Sequence, residues 1–227
     1  MNLFARTELL IGKENLQKLQ KAKVAIIGIG GVGGYVTEGL VRAGIGNITI
    51  MDHDKIAESN INRQIIATTK NIGKYKVEEM QKRVIEINPA IQIQAINEFY
   101  DENSQVLDTT YDYVVDAIDT VSSKIAIIKK CKELNLPVIS CMGTGNKLEP
   151  NQFKITDISK TKVCPLAKVM RKELKKLGIE KVKVLYSEEE PLKKQERGMP
   201  PASVSFVPSV AGLLICAEVV KEIIKEK

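Results

Sequence analysis

The sequence contains no tryptophan, one histidine (His53) and few aromatic residues, which make up 4% of its 227 residues. None of its four cysteines forms a C-x-x-C pair, which makes a zinc site of paired cysteines unexpected, and a single histidine excludes a histidine-rich metal site. The longest hydrophobic run, 204–217, is interrupted by serine and proline and is shorter than the roughly 18 residues that a membrane span needs. We therefore expect a soluble cytoplasmic protein with reduced thiols and no membrane partner.

The order of the predicted elements indicates an α/β fold. Runs of β-branched and other apolar residues predict strands at 24–27, 47–51, 91–95, 113–117 and 138–141. Amphipathic periodicity predicts helices between them at 32–43, 74–87 and 122–134. Strands that alternate with helices predict a Rossmann-like, mostly parallel sheet with helices on both faces.

After about residue 145 the alternation becomes less regular. The sequence predicts strands at 153–155 and 182–186, a helix at 165–177, and at the end a short segment, 203–207, followed by a helix at 209–224. The segment 187–201 is rich in Glu, Lys and Pro, which is typical of a mobile loop. We expect one domain, 1–227, with a nucleotide-binding half (1–145) and a substrate and dimer half (146–227) that extends the sheet.

A glycine-rich turn follows the first predicted strand. Gly28 permits a tight turn, Gly30 and its neighbour Gly31 let the backbone approach a phosphate, and Gly33 lets the helix pack close to the strand. The N-terminus of that helix presents free N–H groups to an anion. Asp52, at the end of the second strand, is placed to accept hydrogen bonds from ribose hydroxyls. This order of elements predicts a nucleotide site, and a glycine turn required for packing alone is the alternative.

The residues after Asp52 indicate which part of the nucleotide reacts. Asn60, Arg63 and Gln64 offer amide and guanidinium groups that bind phosphate oxygens, and Lys76 opens the next helix. A dehydrogenase would need a catalytic acid or base for hydride transfer, and His53 beside the ribose acid is in the wrong place for that role. The pattern favours ATP over a nicotinamide cofactor.

Two acidic residues follow the fourth predicted strand, where the carboxyl ends of strands surround a ligand crevice. Asp116 fits a structural cap. Asp119 is better placed to reach solvent, and one carboxylate together with phosphate oxygens is a usual way to hold Mg²⁺. An N-cap of the following helix is the alternative role of Asp119, and both roles are compatible.

Together these motifs resemble the ubiquitin-activating-enzyme-like superfamily of adenylating enzymes over roughly residues 6–145. The shared pattern is a glycine-rich loop, an acid after the second strand, N-x-x-R-Q, a later lysine and D-x-x-D. The resemblance implies ATP and Mg²⁺ and a substrate carboxylate that attacks the α-phosphate to give an acyl-adenylate. In relatives an N-terminal arginine reaches into the partner subunit's site, a position that Arg6 matches. A homodimer is therefore implied.

The second half resembles the tRNA threonylcarbamoyladenosine dehydratases in the stretches 140–145, 157–167 and 208–212. That resemblance implies that ATP activates a threonyl carboxylate on a tRNA adenosine, whose carbamoyl group then closes a ring with loss of water. Adenylation of a ubiquitin-like sulfur carrier's C-terminus remains an alternative, although paired zinc cysteines are absent. A nicotinamide-dependent dehydrogenase and a non-catalytic nucleotide-binding module are further alternatives. Family similarity alone suggests a cysteine desulfurase or its sulfur acceptor as a partner.

A basic helix and one cysteine complete the candidate residues. The chain has 34 Lys and Arg against 28 Asp and Glu, a net charge of +6 that permits a polyanionic partner. On the helix 165–177, Lys168, Arg171, Lys172 and Lys175 are predicted to face away from an apolar stripe formed by Leu166, Val169, Met170, Leu174 and Leu177. They are candidate tRNA phosphate contacts, with a solvated helix face as the ordinary alternative. Cys164, in a predicted loop, is the cysteine expected to be most exposed.

Overall fold

The computed structural model describes residues 3–192 and 200–225. A seven-stranded sheet with the order β3-β2-β1-β4-β5-β7-β6 runs through this part of the chain. The strands are β1 (Lys23–Ile27), β2 (Asn47–Met51), β3 (Gln92–Ile96), β4 (Tyr113–Asp116), β5 (Val138–Cys141), β6 (Phe153–Asp157) and β7 (Lys183–Ser187). All neighbouring strands are parallel except β6 and β7, which are antiparallel. The predicted Rossmann-like, mostly parallel sheet is confirmed.

Helices cover both faces of the sheet. They are α1 (Ala5–Ile11), α2 (Lys13–Lys21), α3 (Gly33–Ala43), α4 (Lys76–Ile87), α5 (Val121–Glu133), α6 (Pro165–Lys176) and α7 (Phe206–Ile224). Alternate residues of β1 point to opposite faces, as the period of a strand requires. Val24 and Ile26 belong to one hydrophobic core, and Ala25 and Ile27 belong to the other. The central strands are therefore buried on both sides, which explains their continuous apolar sequences.

The ends of the chain differ from the sequence-based expectation. Neither α1 nor α2 was expected; α2 buries Leu16 and Leu19, whereas α1 buries no residue. The segment 203–207 is not an element of its own, because α7 begins at Phe206 rather than Ser209. Of the predicted mobile loop at 187–201, Ser187 belongs to β7, and residues 193–199 lie outside the described part of the chain.

None of the helices described combines the length and apolar character needed to cross a bilayer. The division of the chain at residue 145 stays a prediction.

The glycine turn between β1 and α3 depends on two close backbone approaches. Gly28 has φ +95°, in the left-handed region that favours glycine, and a Cβ there would lie 2.8 Å from the Ala117 backbone. A Cβ on Gly33 would lie 1.8 Å from the carbonyl oxygen of Gly28. The expected packing role of Gly33 is thus visible in the geometry, since helix α3 can begin beside the strand only without a side chain at that position.

Replacing Gly33 with alanine is expected to destabilise the fold. The methyl group meets fixed backbone, so the turn has to shift, with a loss of about 1–3 kcal/mol or more in the free energy of unfolding. Gly30→Ala is the matched control, because the nearest atom to a Cβ there is Gln64 Nε2 at 3.9 Å. Urea denaturation of both variants tests this, and equal midpoints for Gly33→Ala and the parent protein would show that the turn tolerates the shift.

Candidate active site

One cavity of about 820 Å³ lies where β1, β2, β4 and β5 end. Parallel strands place such a crevice at their carboxyl ends, because the loops that leave them there surround a common space. Nine predicted site residues line this cavity: Gly28, Gly30, Gly31, Asp52, Asn60, Arg63, Gln64, Lys76 and Asp119. The folded chain therefore brings together almost the whole set that the motifs of the first half nominated.

The other nominated residues lie elsewhere. Gly33 supports the turn from beneath rather than lining the cavity. Arg6 is exposed on α1, and Lys168, Arg171, Lys172 and Lys175 lie on α6. Within this one chain, Arg6 and the basic residues of α6 take no part in the cavity lining.

Asp52 is fixed by backbone hydrogen bonds. One carboxylate oxygen accepts the Ile29 N–H of the glycine turn at 2.7 Å, and the other accepts the Asp54 N–H at 2.8 Å. These bonds join the ends of β1 and β2 and hold the acid at the wall of the cavity. A carboxylate oxygen has lone pairs beyond those used here, so Asp52 retains the capacity to accept hydrogen bonds from hydroxyl groups.

Lys76 faces the same wall from the start of α4. Its ammonium group is buried, donates a hydrogen bond to Asp54 at 2.7 Å and lies 3.8 Å from Asp52. Asp54 was not singled out from the sequence. The alternation Asp52, His53, Asp54 offered the one available signal, because residues two apart at the end of a strand point to the same side. Lys76 thus has its charge partly compensated before any ligand binds.

Arg63 and Gln64 present unused polar groups. The Arg63 guanidinium donates to the Ser59 carbonyl oxygen at 2.7 Å and to Asn62 Oδ1 at 3.0 Å, and no carboxylate of the described residues pairs with it. Gln64 is buried, and its Oε1 has no hydrogen-bond partner in the described structure. A buried polar atom without a partner is unfavourable by about 1–3 kcal/mol, which fits a site that a ligand completes.

Asn60 is partly committed to its own turn. Its Oδ1 accepts the Ala57 N–H at 3.0 Å, and this bond closes the short 3-10 helix at Glu58–Asn60. The side-chain oxygen therefore shapes the loop that carries Arg63. Only the amide NH₂ group of Asn60 is therefore left to make the predicted contact with phosphate.

A buried ion pair supports the turn that carries Asp119. Asp116 and Lys124 are both fully buried, with 3.0 Å between the carboxylate oxygen and the ammonium nitrogen. Asp116 also accepts from Ser140 Oγ at 2.5 Å, and Lys124 donates to the Ile118 carbonyl oxygen at 2.9 Å. Asp116 is therefore structural, as expected, while Lys124 was missed because a lysine inside a helix gives no sign of burial.

Asp119 projects from this supported turn and is exposed to solvent. The N-cap of α5 is Thr120, which makes no side-chain capping bond, so the alternative role of Asp119 as the N-cap is wrong. Among the residues described, Asp119 forms no ion pair with a cationic side chain. Its carboxylate lines the cavity and fits the one-carboxylate pattern of a magnesium site.

The opposite wall of the cavity comes from the second half of the chain. It includes residues that follow β5 (Met142, Gly143, Thr144, Gly145, Asn146 and Lys147), the start of α6 (Cys164, Pro165 and Leu166) and the stretch 200–203 in part. Asn146, with φ +58°, exchanges backbone and side-chain hydrogen bonds with Ala202 and accepts the Leu192 N–H at 2.9 Å. These bonds hold the chain near Pro191 and Pro201, which also line the cavity.

Cys164 is not the most exposed of the four cysteines, contrary to the expectation from the sequence. It lines the cavity but is 3% exposed, and it forms the N-cap of α6 instead of lying in an open loop. Packing of the second half against β5 and β7 buries it. Cys131, Cys141 and Cys216 are buried as expected, and burial raises the pKa of each of these thiols to about 12.

The basic helix α6 is more varied than its sequence pattern predicts. Met170 and Leu174 are buried, but Val169 and Leu177, which were assigned to the apolar stripe, are 45% and 49% exposed. Arg171 is half-buried and donates to the Thr161 carbonyl oxygen at 2.9 Å, so it holds the preceding turn. Lys168, Lys172 and Lys175 remain exposed.

Comparisons with known proteins agree with this geometry. A model of the ThiF family matches residues 4–227. The chain is 41% identical to the tRNA threonylcarbamoyladenosine dehydratase of Bacillus subtilis (strain 168), with 98% of this chain and 95% of the relative covered. It is 39% identical to the Escherichia coli (strain K12) dehydratase over 76% of this chain and 65% of that one.

Solved structures extend the likeness to the whole fold. The E. coli tRNA N6-threonylcarbamoyladenosine dehydratase in complex with AMP superposes with a TM-score of 0.91 at 33% identity, covering 97% of this chain and 93% of the other. Its complex with ATP gives a TM-score of 0.89 at 32% identity with the same coverage.

Replacing Lys124 with methionine is expected to destabilise the protein by about 3–5 kcal/mol, because the Asp116 carboxylate would be left buried without its cation. Lys129→Met on the same helix is the matched control, since that side chain is 59% exposed and lies 3.9 Å from Glu133, a surface pair worth at most about 1 kcal/mol. Urea unfolding monitored by circular dichroism measures both. A loss of similar size in the two variants would contradict the role of the buried pair.

Proposed function

Because the chain belongs to the ThiF family, we propose that it is an ATP-dependent tRNA threonylcarbamoyladenosine dehydratase. The observation that carries this proposal is the near full-length match to the B. subtilis dehydratase, at 41% identity over 98% of this chain. The complexes of the E. coli dehydratase with ATP and AMP support adenylation as the chemistry. In this chain the cavity contains the groups that such chemistry needs.

ATP is the first substrate. Asp52, held by the Ile29 N–H, accepts hydrogen bonds from the ribose hydroxyls. The glycine turn and the N-terminus of α3 present backbone N–H groups to the phosphates, and Arg63 and Lys76 supply positive charge. The unpaired Oε1 of Gln64 accepts from a donor that the bound nucleotide or its hydration shell brings.

The described residues fit Mg²⁺ as well. Asp119 is an exposed carboxylate in the cavity wall, on a turn that Lys124 and Asp116 hold from beneath. Together with phosphate oxygens it would hold the ion, which would neutralise charge on the triphosphate. Asp116 takes no part, because its carboxylate is buried and paired.

The threonyl carboxylate of the modified adenosine then attacks the α-phosphate, and pyrophosphate leaves. The carbamoyl group attacks the activated carbonyl carbon, the ring closes and AMP leaves with the carboxylate oxygen. One molecule of water is lost overall. The contribution of the protein is to bring two anions together in one orientation and to compensate their charge.

Incubation with ATP, Mg²⁺ and tRNA that carries threonylcarbamoyladenosine tests the proposal. Nucleoside mass spectrometry is expected to show that the modified adenosine loses the mass of one water and that AMP accumulates in equal amount. Unmodified tRNA is the matched control. A full complement of unchanged threonylcarbamoyladenosine after ATP has been supplied would refute the proposal.

A homodimer completes the proposed site. Arg6 is exposed on α1, and beside it Leu9 and Leu10 are 83% and 85% exposed, so this helix has an uncovered apolar surface. A second copy of the chain would cover these leucines and bring the Arg6 guanidinium to the partner's cavity. The suggested cysteine desulfurase or its sulfur acceptor stays a prediction from family similarity.

Arg6→Ala and Arg63→Ala are each expected to lose dehydratase activity, because each removes positive charge from the nucleotide site. When the two variants are dissociated and reassociated together, mixed dimers carry one intact site, and about a quarter of the parent activity should return. Steady-state AMP release measures this. Recovery that stays at zero while mixed dimers form would show that Arg6 does not act across the interface.

The exposed lysines of α6 are proposed to contact tRNA phosphates. Lys172→Glu with Lys175→Glu should weaken tRNA binding and reduce the slope of log affinity against log salt concentration by about 1–2. Lys129→Glu with Lys132→Glu on α5 makes the same change in net charge at another exposed surface. Filter binding across a salt series compares the two pairs, and identical slopes would contradict a specific role for α6.

A further inference from the structure

One buried cation in the cavity is not among the residues that the sequence assigns to the nucleotide site. Lys147 lines the cavity and is 5% exposed. Its ammonium group donates to the backbone carbonyl oxygen of Glu189. The Glu189 carboxylate is committed to the N–H groups of Leu148 and Glu149, at 2.8 and 3.0 Å, and forms no direct ion pair with Lys147. In the described structure no other carboxylate pairs with this ammonium group.

A buried ammonium group whose only partner is neutral lacks an opposite charge to offset its loss of hydration. Removing it from water is unfavourable by several kcal/mol, and one carbonyl oxygen compensates that loss only in part. Accordingly, burial lowers the pKa of Lys147, although the nearby Glu189 and Cys164 oppose the shift. An anion that entered the cavity and contacted this group would restore the missing charge and raise the pKa again.

The position of Lys147 indicates which anion that is. Lys147 follows β5, and its partner Glu189 follows β7, whereas the glycine turn follows β1. The sheet order β1-β4-β5-β7 separates β1 from β5 by two strand spacings, about 10 Å. Arg63 and Lys76 belong to the β1 and β2 side of the cavity. Lys147 therefore lies on the wall of the cavity opposite Arg63 and Lys76, where it would face an anion other than the triphosphate that those two cations would bind.

We propose that Lys147 binds the carboxylate of the threonyl group and holds it for attack on the α-phosphate. The inference rests on the proposed function, because it assigns a substrate contact within that reaction. It gives an anionic partner to a buried ammonium group whose partner among the described residues is a neutral carbonyl oxygen. It also assigns the opposite wall of the cavity, formed by residues after β5, to the acceptor.

The test uses an anticodon stem-loop RNA that carries threonylcarbamoyladenosine and the same RNA with the carboxylate converted to a primary amide. Dissociation constants for both are measured by calorimetry in the presence of Mg²⁺ and a non-hydrolysable ATP analogue. The variant is Lys147→Gln, which keeps a donor for the Glu189 carbonyl oxygen and removes the charge. Lys147→Arg, which keeps the charge, and Lys162→Met, at an exposed lysine near Cys164, are the controls.

The ratio compared is the dissociation constant of the amide RNA divided by that of the carboxylate RNA. In the parent protein and in both controls this ratio should be well above one, because the carboxylate RNA binds more tightly. In Lys147→Gln this ratio should fall by on the order of tenfold, with the affinity for the ATP analogue unchanged. An unchanged ratio would overturn the proposal, since a residue with a structural role alone weakens both RNAs equally. A loss confined to the ATP analogue would also overturn it and assign Lys147 to a phosphate.

The proposed function itself is checked in parallel samples in which ATP replaces the non-hydrolysable analogue. Parent protein that dehydrates the natural RNA while the ratio stays constant would remove the assignment of Lys147 and leave the function standing. Parent protein that converts neither RNA and binds both equally would remove both. Should Lys147→Gln unfold, Lys147→Met removes the same charge and gives the same comparison, and an unchanged preference for the carboxylate RNA in that variant overturns the proposal.

Discussion

The site depends on cationic side chains that offset the repulsion between two bound anions. A carboxylate has to reach the α-phosphate of a triphosphate, and in a cavity with low dielectric the repulsion between them is strong. The cavity contains cationic side chains of two kinds, one already bound to a carboxylate and others bound, in the described part of the chain, only to neutral groups. Lys76 is already bound to Asp54, whereas Arg63 and Lys147 have neutral partners among the described residues. The unpaired cations are the ones that gain most from a bound anion.

These charges are useful only if their positions are fixed. The Asp52 carboxylate is tied to the turn after β1, and the turn that bears Asp119 is tied to the buried pair of Asp116 and Lys124. Gly33 lets α3 begin directly beside that turn. Preorganised groups of this kind stabilise developing charge without having to reorganise during the reaction. The fold therefore holds the charged side chains in fixed positions at the carboxyl ends of the strands.

The sequence predicts local features well and long-range pairing poorly. The glycine turn, Asp52 and the N-x-x-R-Q segment are short patterns whose order along the chain already implies their place, and they do meet in one cavity. Lys124 was missed because a lysine inside a helix gives no sign of burial, and Lys147 was missed because its partner, Glu189, lies 42 residues away in the sequence. Asp54 was missed although it lies two residues after Asp52. Cys164 was expected to be exposed because its segment has no strand or helix pattern, whereas in the fold it belongs to a hydrophobic core that α6 and β7 share.

Helix α1 illustrates a different limit. It buries no residue within one chain, and its Leu9 and Leu10 are exposed, so it lies outside the segments that a search for core-forming residues predicts. The basic pattern of α6 was read too simply, because Arg171 stabilises the turn at Thr161 while three neighbouring basic residues reach solvent. A pattern of charges along a helix does not say which of them the fold itself uses.

The proposed reaction begins when this cavity adenylates the threonyl carboxylate of a modified tRNA. Exchange of radiolabelled pyrophosphate into ATP measures that step directly, because label enters ATP only when the adenylate forms and reverses. We expect exchange that requires tRNA bearing threonylcarbamoyladenosine and is absent with unmodified tRNA. Exchange that proceeds equally with unmodified tRNA, or that requires the C-terminus of a ubiquitin-like protein instead, would contradict it.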